Sequence, residues 1–179
     1  TCSCWHGVTS VMMGNCGFAL APCKPEAREW FARCLEAVED IPAAVLAAGM
    51  DFRWHSFGEY LDALAAMPRI MDIGAQVAHA PLRVYAMGQR GADHDEVPSE
   101  AELGNMAGLL EEALAAGALG FTTSRTHKHK AGDGRPVPSY TARQDELMGL
   151  ADAMRRADAG VIQRNSDLAE GAFAVLRAM

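Results

Sequence analysis

Apolar and polar positions follow two rhythms along this chain. Short apolar runs rich in branched residues read as buried strands: VTSVMMG (8–14), IMDIGAQVAH (70–79), ALGFTTS (118–124) and GVIQRNS (160–166). Between them, apolar residues recur at i, i+3 and i+4. In PEAREWFARCLEAVE (25–39) this spacing aligns Trp30, Phe31, Cys34, Leu35 and Val38, and Pro25 suits a first helical turn. SFGEYLDALAAM (56–67) aligns Phe57, Tyr60, Leu61 and Leu64, with Ser56 and Glu59 as a capping box and Pro68 as the stop. SEAELGNMAGLLEEALAAG (99–117) opens on Ser99 and Glu102 and closes on Gly117, and ARQDELMGLADAMRRADAG (142–160) closes on Gly160.

Strand and helix therefore alternate, which predicts an α/β fold with a parallel sheet. An open doubly wound sheet and a barrel both meet that description. No GxGxxG or GxxxxGK[ST] follows a strand, so nucleotide-binding versions lose support. The strand ends are GNCG, AQVAH, TTSRT and QRNSD. Polar residues gathered at carboxyl ends favour a TIM (β/α)8 barrel, whose chemistry lies on that face.

Composition narrows the class. The chain has 179 residues, half of them apolar, enough for one core, so residues 1–179 are expected to be one domain or part of one. The net charge of −7 argues against nucleic acid as a partner, and the short basic stretch RTHKHK (125–130) reads as a solvated loop. No run approaches the roughly 20 apolar residues of a membrane helix, and no signal-peptide pattern opens the chain, so a cytoplasmic protein with no membrane partner is expected. The start TCSCWHG, without Met, is expected of a fragment or a processed product. The five cysteines fall in the first 34 residues, an odd number unlike a secreted disulfide scaffold. Cys2 and Cys4 have no second pair at zinc-finger distance, which disfavours a structural zinc site.

The chemistry-bearing residues sit at the strand ends. Cys16 has two readings: a small core hydrophobe, or a thiolate delivered by a tight Gly14–Gly17 turn as nucleophile or metal ligand. His6 or His79 is a conceivable base for it. His79 reads as a hydrogen-bonded structural residue or a ligand. Arg83 reads as a carboxylate clamp or the partner of a local acid. The long polar loop after 118–124 makes Ser124, Arg125 and His129 candidates for substrate contact. His127 and His129 have the spacing of a metal pair, but Lys128 and Lys130 beside them repel a cation. DGRPVP (133–138) reads as a turn. Asp167 reads as a metal ligand or, preferably, as the cap of a helix starting near Leu168.

WHGVTSVMMGNCGFALAPC, AQVAHAPLRVYAMG and EEALAAGALGFTTSRTHKH with DGRPVPS together resemble the N-acyl-D-amino-acid deacylases (D-aminoacylases) of the amidohydrolase superfamily. The resemblance runs along essentially the whole chain and implies a zinc-dependent barrel that hydrolyses a small N-acyl-D-amino acid to a carboxylate and a D-amino acid. It implies that Cys16, the cysteine of GNCG, is a metal ligand, and that Arg125 or Arg83 holds the substrate carboxylate. The family's His-x-His pair precedes the first residue here, its catalytic aspartate and a further histidine follow the last, and the histidine many members carry after the last strand is replaced by Arg164, Asn165, Ser166 and Asp167. The chain is thus expected to be the middle of a barrel, inactive alone. Two alternatives stand beside this: a cyclic-amide hydrolase related to dihydroorotase or hydantoinase, disfavoured because no predicted strand carries the lysine those enzymes carboxylate, and a catalytically incomplete α/β module.

Overall fold

A computed structural model describes residues 2–39, 41–131, 133–167 and 171–179. Five strands appear: β1 (Ser10–Met13), β2 (Asp72–Ala75), β3 (Val77–Ala78), β4 (Gly120–Arg125) and β5 (Val161–Ser166). All pair in parallel. β1 pairs with β2, Met13 opposite Ala75; β4 lies between β3 and β5, with Phe121 opposite both Val77 and Ile162. β2 and β3 are one path bent at Gln76, whose amide nitrogen still donates to Met13 O at 3.0 Å. Leu119 N donates to Ala75 O at 2.9 Å, continuing the ladder across the bend. Neighbours in space are thus neighbours in sequence.

Among the described residues seven helices connect or flank the strands: α1 (Arg28–Glu39), α2 (Ala43–Gly49), α3 (Phe57–Ala66), α4 (His79–Met87), α5 (Glu100–Ala115), α6 (Gln144–Ala157) and α7 (Ala172–Ala178). Pro25 opens a short 3-10 turn that runs into α1; the Val38 side chain lies outside the described residues. Both expected capping boxes form, Ser56 with Glu59 at α3 and Ser99 with Glu102 at α5. Gly117 follows α5 with φ +112°, the left-handed geometry glycine tolerates at a helix end. Helix α6 ends at Ala157, three residues before the Gly160 of the glycine-based reading, with Asp158 as its cap at φ +48°. The expected strand over 70–79 ends at Ala78, and His79 is the first residue of α4, not the last of a strand.

The core lies between one face of the sheet and helices α3 to α6. Val77, Phe121, Leu82, Met106, Leu110 and Leu150 are fully buried in it, and each such side chain contributes about 1.5–3 kcal/mol relative to exposure. The opposite face is more open. β1 alternates exposed and half-buried, β5 is exposed at Val161 and half-buried from Ile162 on, and each pairs on one side only among the described residues. No helix among the described residues is long and apolar enough to cross a membrane.

Candidate active site

The GNCG turn (14–17) is bolted across the carboxyl ends of the strands. Gly14 and Gly17 have φ of +88° and +77°. A β-carbon on Gly14 would lie 2.6 Å from Gln76 O, and one on Gly17 would lie 2.8 Å from Ser124 N. Both positions therefore require glycine on two counts, conformation and space. Thr122 Oγ1 accepts from Gly17 N at 3.1 Å and donates to Gly14 O, and Ala80 N donates to Gly17 O at 3.3 Å. Gln163 Nε2 donates to Asn15 O at 3.2 Å. Strands β4 and β5 and the start of α4 all hold this turn.

Cys16 is half-buried at its tip, with Sγ 3.9 Å from Phe18 O and its side chain against Phe18, Cys34, Ala80 and Val137. The other cysteines set it in relief. Cys23 and Cys34 are buried core residues, and burial pushes the Cys23 thiol up to about 11, the behaviour of small hydrophobes; Cys16 packs on the same apolar cluster as Cys34 but stays only half-buried.

Strand alternation sorts the other candidates. Thr122 faces the GNCG turn, so Ser124, two residues on, shares that face. Ser124 is buried and its Oγ lies 2.8 Å from His129 Nδ1. The turn, Ser124 and His129 are thus brought together. Gln76, which sequence reasoning missed, has its backbone oxygen against Gly14 and lies two residues before Ala78, which pairs with Thr122; its side-chain amide is buried and finds no partner among the described residues. A buried side-chain amide left without a partner calls for a further polar group. A cysteine sulfur is a donor type that fits zinc.

Thr123 faces the other way, and His79 and Arg83 go with it. His79 Nδ1 lies 2.8 Å from Thr123 Oγ1 and Nε2 lies 2.8 Å from Glu146 Oε1. Arg83 Nη1 donates to both Glu146 oxygens at 2.7 Å, and Nη2 donates to Glu96 O and Asp93 O at 2.5 and 3.2 Å. All three side chains are at most 2 % exposed. Of the alternatives open for Arg83, the structure shows the partner of an acid: its two terminal nitrogens are spent internally, leaving no fork for a substrate carboxylate. His79 is likewise the hydrogen-bonded structural residue. Burial, the largest influence on Glu146, raises its pKa, but His79 and Arg83 together outweigh it and hold the carboxyl below its ordinary range. Glu146 was legible only as a carboxylate on the apolar face of α6, beside Leu147 and Leu150.

The remaining candidates are dispersed. Arg125 shares the Thr123 face and donates from Nε to Tyr140 O at 3.2 Å. His127 and His129 take different partners: His127 Nδ1 lies 2.6 Å from Asp167 Oδ2, while His129 meets Ser124. Asp167 also accepts from Thr126 Oγ1 at 2.5 Å and His127 N at 2.8 Å, latching the end of β5 to the loop after β4. The Thr126 hydroxyl, foremost, and the His127 amide hold its pKa down at about 2. The helix it was expected to cap, starting near Leu168, lies outside the described residues; α7 begins at Ala172. His6 is exposed in an N-terminal 3-10 turn.

No family model matches the chain. It is 35 % identical over 146 residues to the N-acyl-D-glutamate deacylase of Alcaligenes xylosoxydans xylosoxydans, covering 82 % of this chain and 25 % of that protein. It is 35 % identical over 118 residues to the D-aminoacylase of the same organism, covering 66 % and 21 %. The crystal structure of N-acyl-D-glutamate deacylase from Bordetella bronchiseptica, complexed with zinc and a phosphonate inhibitor, superposes with a TM-score of 0.66 at 28 % identity, over 96 % of this chain and 31 % of that one. The chain thus spans about a quarter of the length of the curated relatives it matches. At 31–35 % identity over more than four-fifths of its length to the aspartate- and glutamate-specific members, the chain belongs to the N-acyl-D-amino-acid deacylase (D-aminoacylase) family of the amidohydrolase superfamily.

Proposed function

We propose that the protein hydrolyses the amide bond of an N-acyl-D-amino acid with zinc as cofactor, and that this chain supplies the central arc of the (β/α)8 barrel that does it. The observation that carries the reading is Cys16, a half-buried thiol fixed at the carboxyl ends of parallel strands by two glycines that admit no β-carbon. Sequential parallel strands with helices against one face are what a barrel arc requires. No described strand carries a lysine, which speaks against the cyclic-amide hydrolases that carboxylate one.

Cys16 holds the metal. When bound, zinc supplies Lewis acidity toward the amide carbonyl. The other work of this chain is positioning. The Ser124 hydroxyl fixes the His129 ring through Nδ1, leaving Nε2 to meet the substrate. Gln76 offers a buried amide to a polar group on the same face. Thr122 and Gly17 keep the turn from swinging away. The remaining ligands and the group that moves the proton to the leaving amine belong outside residues 1–179, so the chain alone is inactive.

The test is zinc content and turnover of N-acetyl-D-amino acids in the full-length protein and in Cys16→Ser. Zinc occupancy and kcat/KM are expected to fall at least a hundredfold in the variant, with the far-ultraviolet circular dichroism unchanged. Full occupancy with normal turnover in that variant, or turnover by residues 1–179 alone, would overturn the assignment.

A further inference from the structure

Arg125 and Arg164 project from neighbouring strands on the same face. Arg164 pairs with Thr123 in the β4–β5 register, and Arg125 pairs with Ser166, so Thr123, Arg125, Arg164 and Ser166 share one side of the sheet. That side is opposite to Thr122 and Ser124, which face Cys16. Both arginines line a cavity of about 390 Å³, together with Tyr140, Ser166, Asp167 and Ala172.

Among the described residues most arginines of this molecule pair with acids; these two do not, in common with Arg28 and Arg69, which donate to backbone carbonyls. Arginines elsewhere, such as Arg90, Arg135 and Arg156, meet carboxylates within hydrogen-bond distance. Arg125 and Arg164 meet none among the described residues. Arg125 Nε donates to Tyr140 O. Arg164 Nη1 donates to Ala172 O at 2.9 Å and Nη2 to Ser166 Oγ at 3.4 Å, while its Nε is buried without a partner. Asp167, the carboxylate on the cavity wall, has both oxygens committed to Thr126 and His127. Burial, and after it the charge of Arg125, depresses the pKa of Arg164. Two cations side by side with only neutral acceptors repel each other, and a bound anion reverses the sign of that energy.

We propose that Arg125 and Arg164 bind a phosphate-type dianion, inorganic phosphate or a phosphomonoester, in a site separate from the Cys16 face. Two guanidinium groups lining one small cavity match a compact tetrahedral oxyanion: Arg125 uses only Nε among the described residues, each Arg164 terminal nitrogen keeps one N–H beyond its bond to Ala172 O or Ser166 Oγ, and a single carboxylate would neutralise only one of the two charges. The site belongs to this chain's own strands and does not depend on the metal.

Calorimetric titration of the full-length protein with phosphate, against chloride at matched ionic strength, is expected to show one saturable site. Arg125→Gln and Arg164→Gln should each weaken it at least tenfold, and Cys16→Ser should leave it unchanged. Glycerol phosphate separates the two sources: affinity equal to that of phosphate identifies a phosphomonoester site, and binding of phosphate alone identifies a site for the free ion. Because Arg164→Gln removes a half-buried residue and can fail to fold, the wild-type protein supplies a second readout. Phosphate should slow phenylglyoxal modification of Arg125 and Arg164 at least fivefold, read by peptide mass spectrometry, without protecting the exposed Arg143. Absence of a saturable site, equal affinity in Arg125→Gln, or displacement of phosphate by N-acetyl-D-glutamate would overturn the proposal.

Discussion

The two faces of β4 divide the work of this molecule. On one, Thr122 and Ser124 reach a half-exposed cysteine and a histidine; on the other, Thr123 anchors a histidine, an arginine and a glutamate that see no solvent. The residue types overlap, but the energetics do not. In the buried set the terminal nitrogens of Arg83, both carboxylate oxygens of Glu146 and both ring nitrogens of His79 are satisfied inside the protein, which is what makes burial of charge tolerable. On the Cys16 face Gln76 is left unsatisfied. The skeleton spends every donor and acceptor but Arg83 Nε, which is buried without a partner among the described residues; on the Cys16 face a whole side-chain amide is held in reserve.

The largest test of that division is Glu146→Gln. It removes the charge that justifies burying Arg83, and about 3–5 kcal/mol of stability should go with it, read from the urea midpoint at neutral pH. The acid side gives a second reading. Because the folded pKa of Glu146 lies below its ordinary value, the stabilisation is complete above an unfolded pKa of about 4.3. It is lost as pH falls through the lower folded value. The wild type should therefore destabilise more steeply than the variant on acidification. A loss under about 1 kcal/mol would mean that the buried knot is no skeleton.

The two faces also differ in how far the sequence foretold them. The GNCG turn is contiguous, and its glycines, cysteine and strand neighbours can be read side by side. The capping boxes of α3 and α5 are equally local, and they form as spelled. The buried set is assembled from positions 79, 83, 123 and 146, and nothing local links them. Helix α4 was missed because HAPLRVYAM continues an apolar run that reads as strand, and α2 because seven residues are too few to show periodicity. The reading of Arg83 as a clamp fails for a related reason: a side chain's face depends on which helix covers the strand, and that is a tertiary fact.

The second test falls on the turn. Gly17→Ala places a β-carbon 2.8 Å from Ser124 N at φ +77°, at a cost of about 1–3 kcal/mol from backbone strain. Gly104→Ala is the control: it lies in α5 with nothing within 4 Å of the added carbon, and it should stabilise by about 0.5–1 kcal/mol. Under the proposed function, Gly17→Ala should also lower zinc occupancy, because the strain displaces Cys16. Retained stability and zinc in that variant would show that the turn tolerates movement and that the cysteine needs no rigid mount.

The smallest expected effect is at Asp167, which lies between the two regimes: hydrogen-bonded like the buried knot, but reachable by solvent. Asp167→Asn retains the shape and removes the charge that His127 and Thr126 share. Since the folded pKa is held at about 2, the contribution is complete above an unfolded value of about 3.9 and is lost as pH falls toward 2. The loop after β4 should loosen without the core responding. Hydrogen exchange at the His127 amide should quicken severalfold in the variant, while the thermal midpoint moves by no more than about 2 °C. If the midpoint drops as far as in Glu146→Gln, the latch is part of the skeleton, and the boundary between the two regimes lies at the loop and not at the sheet.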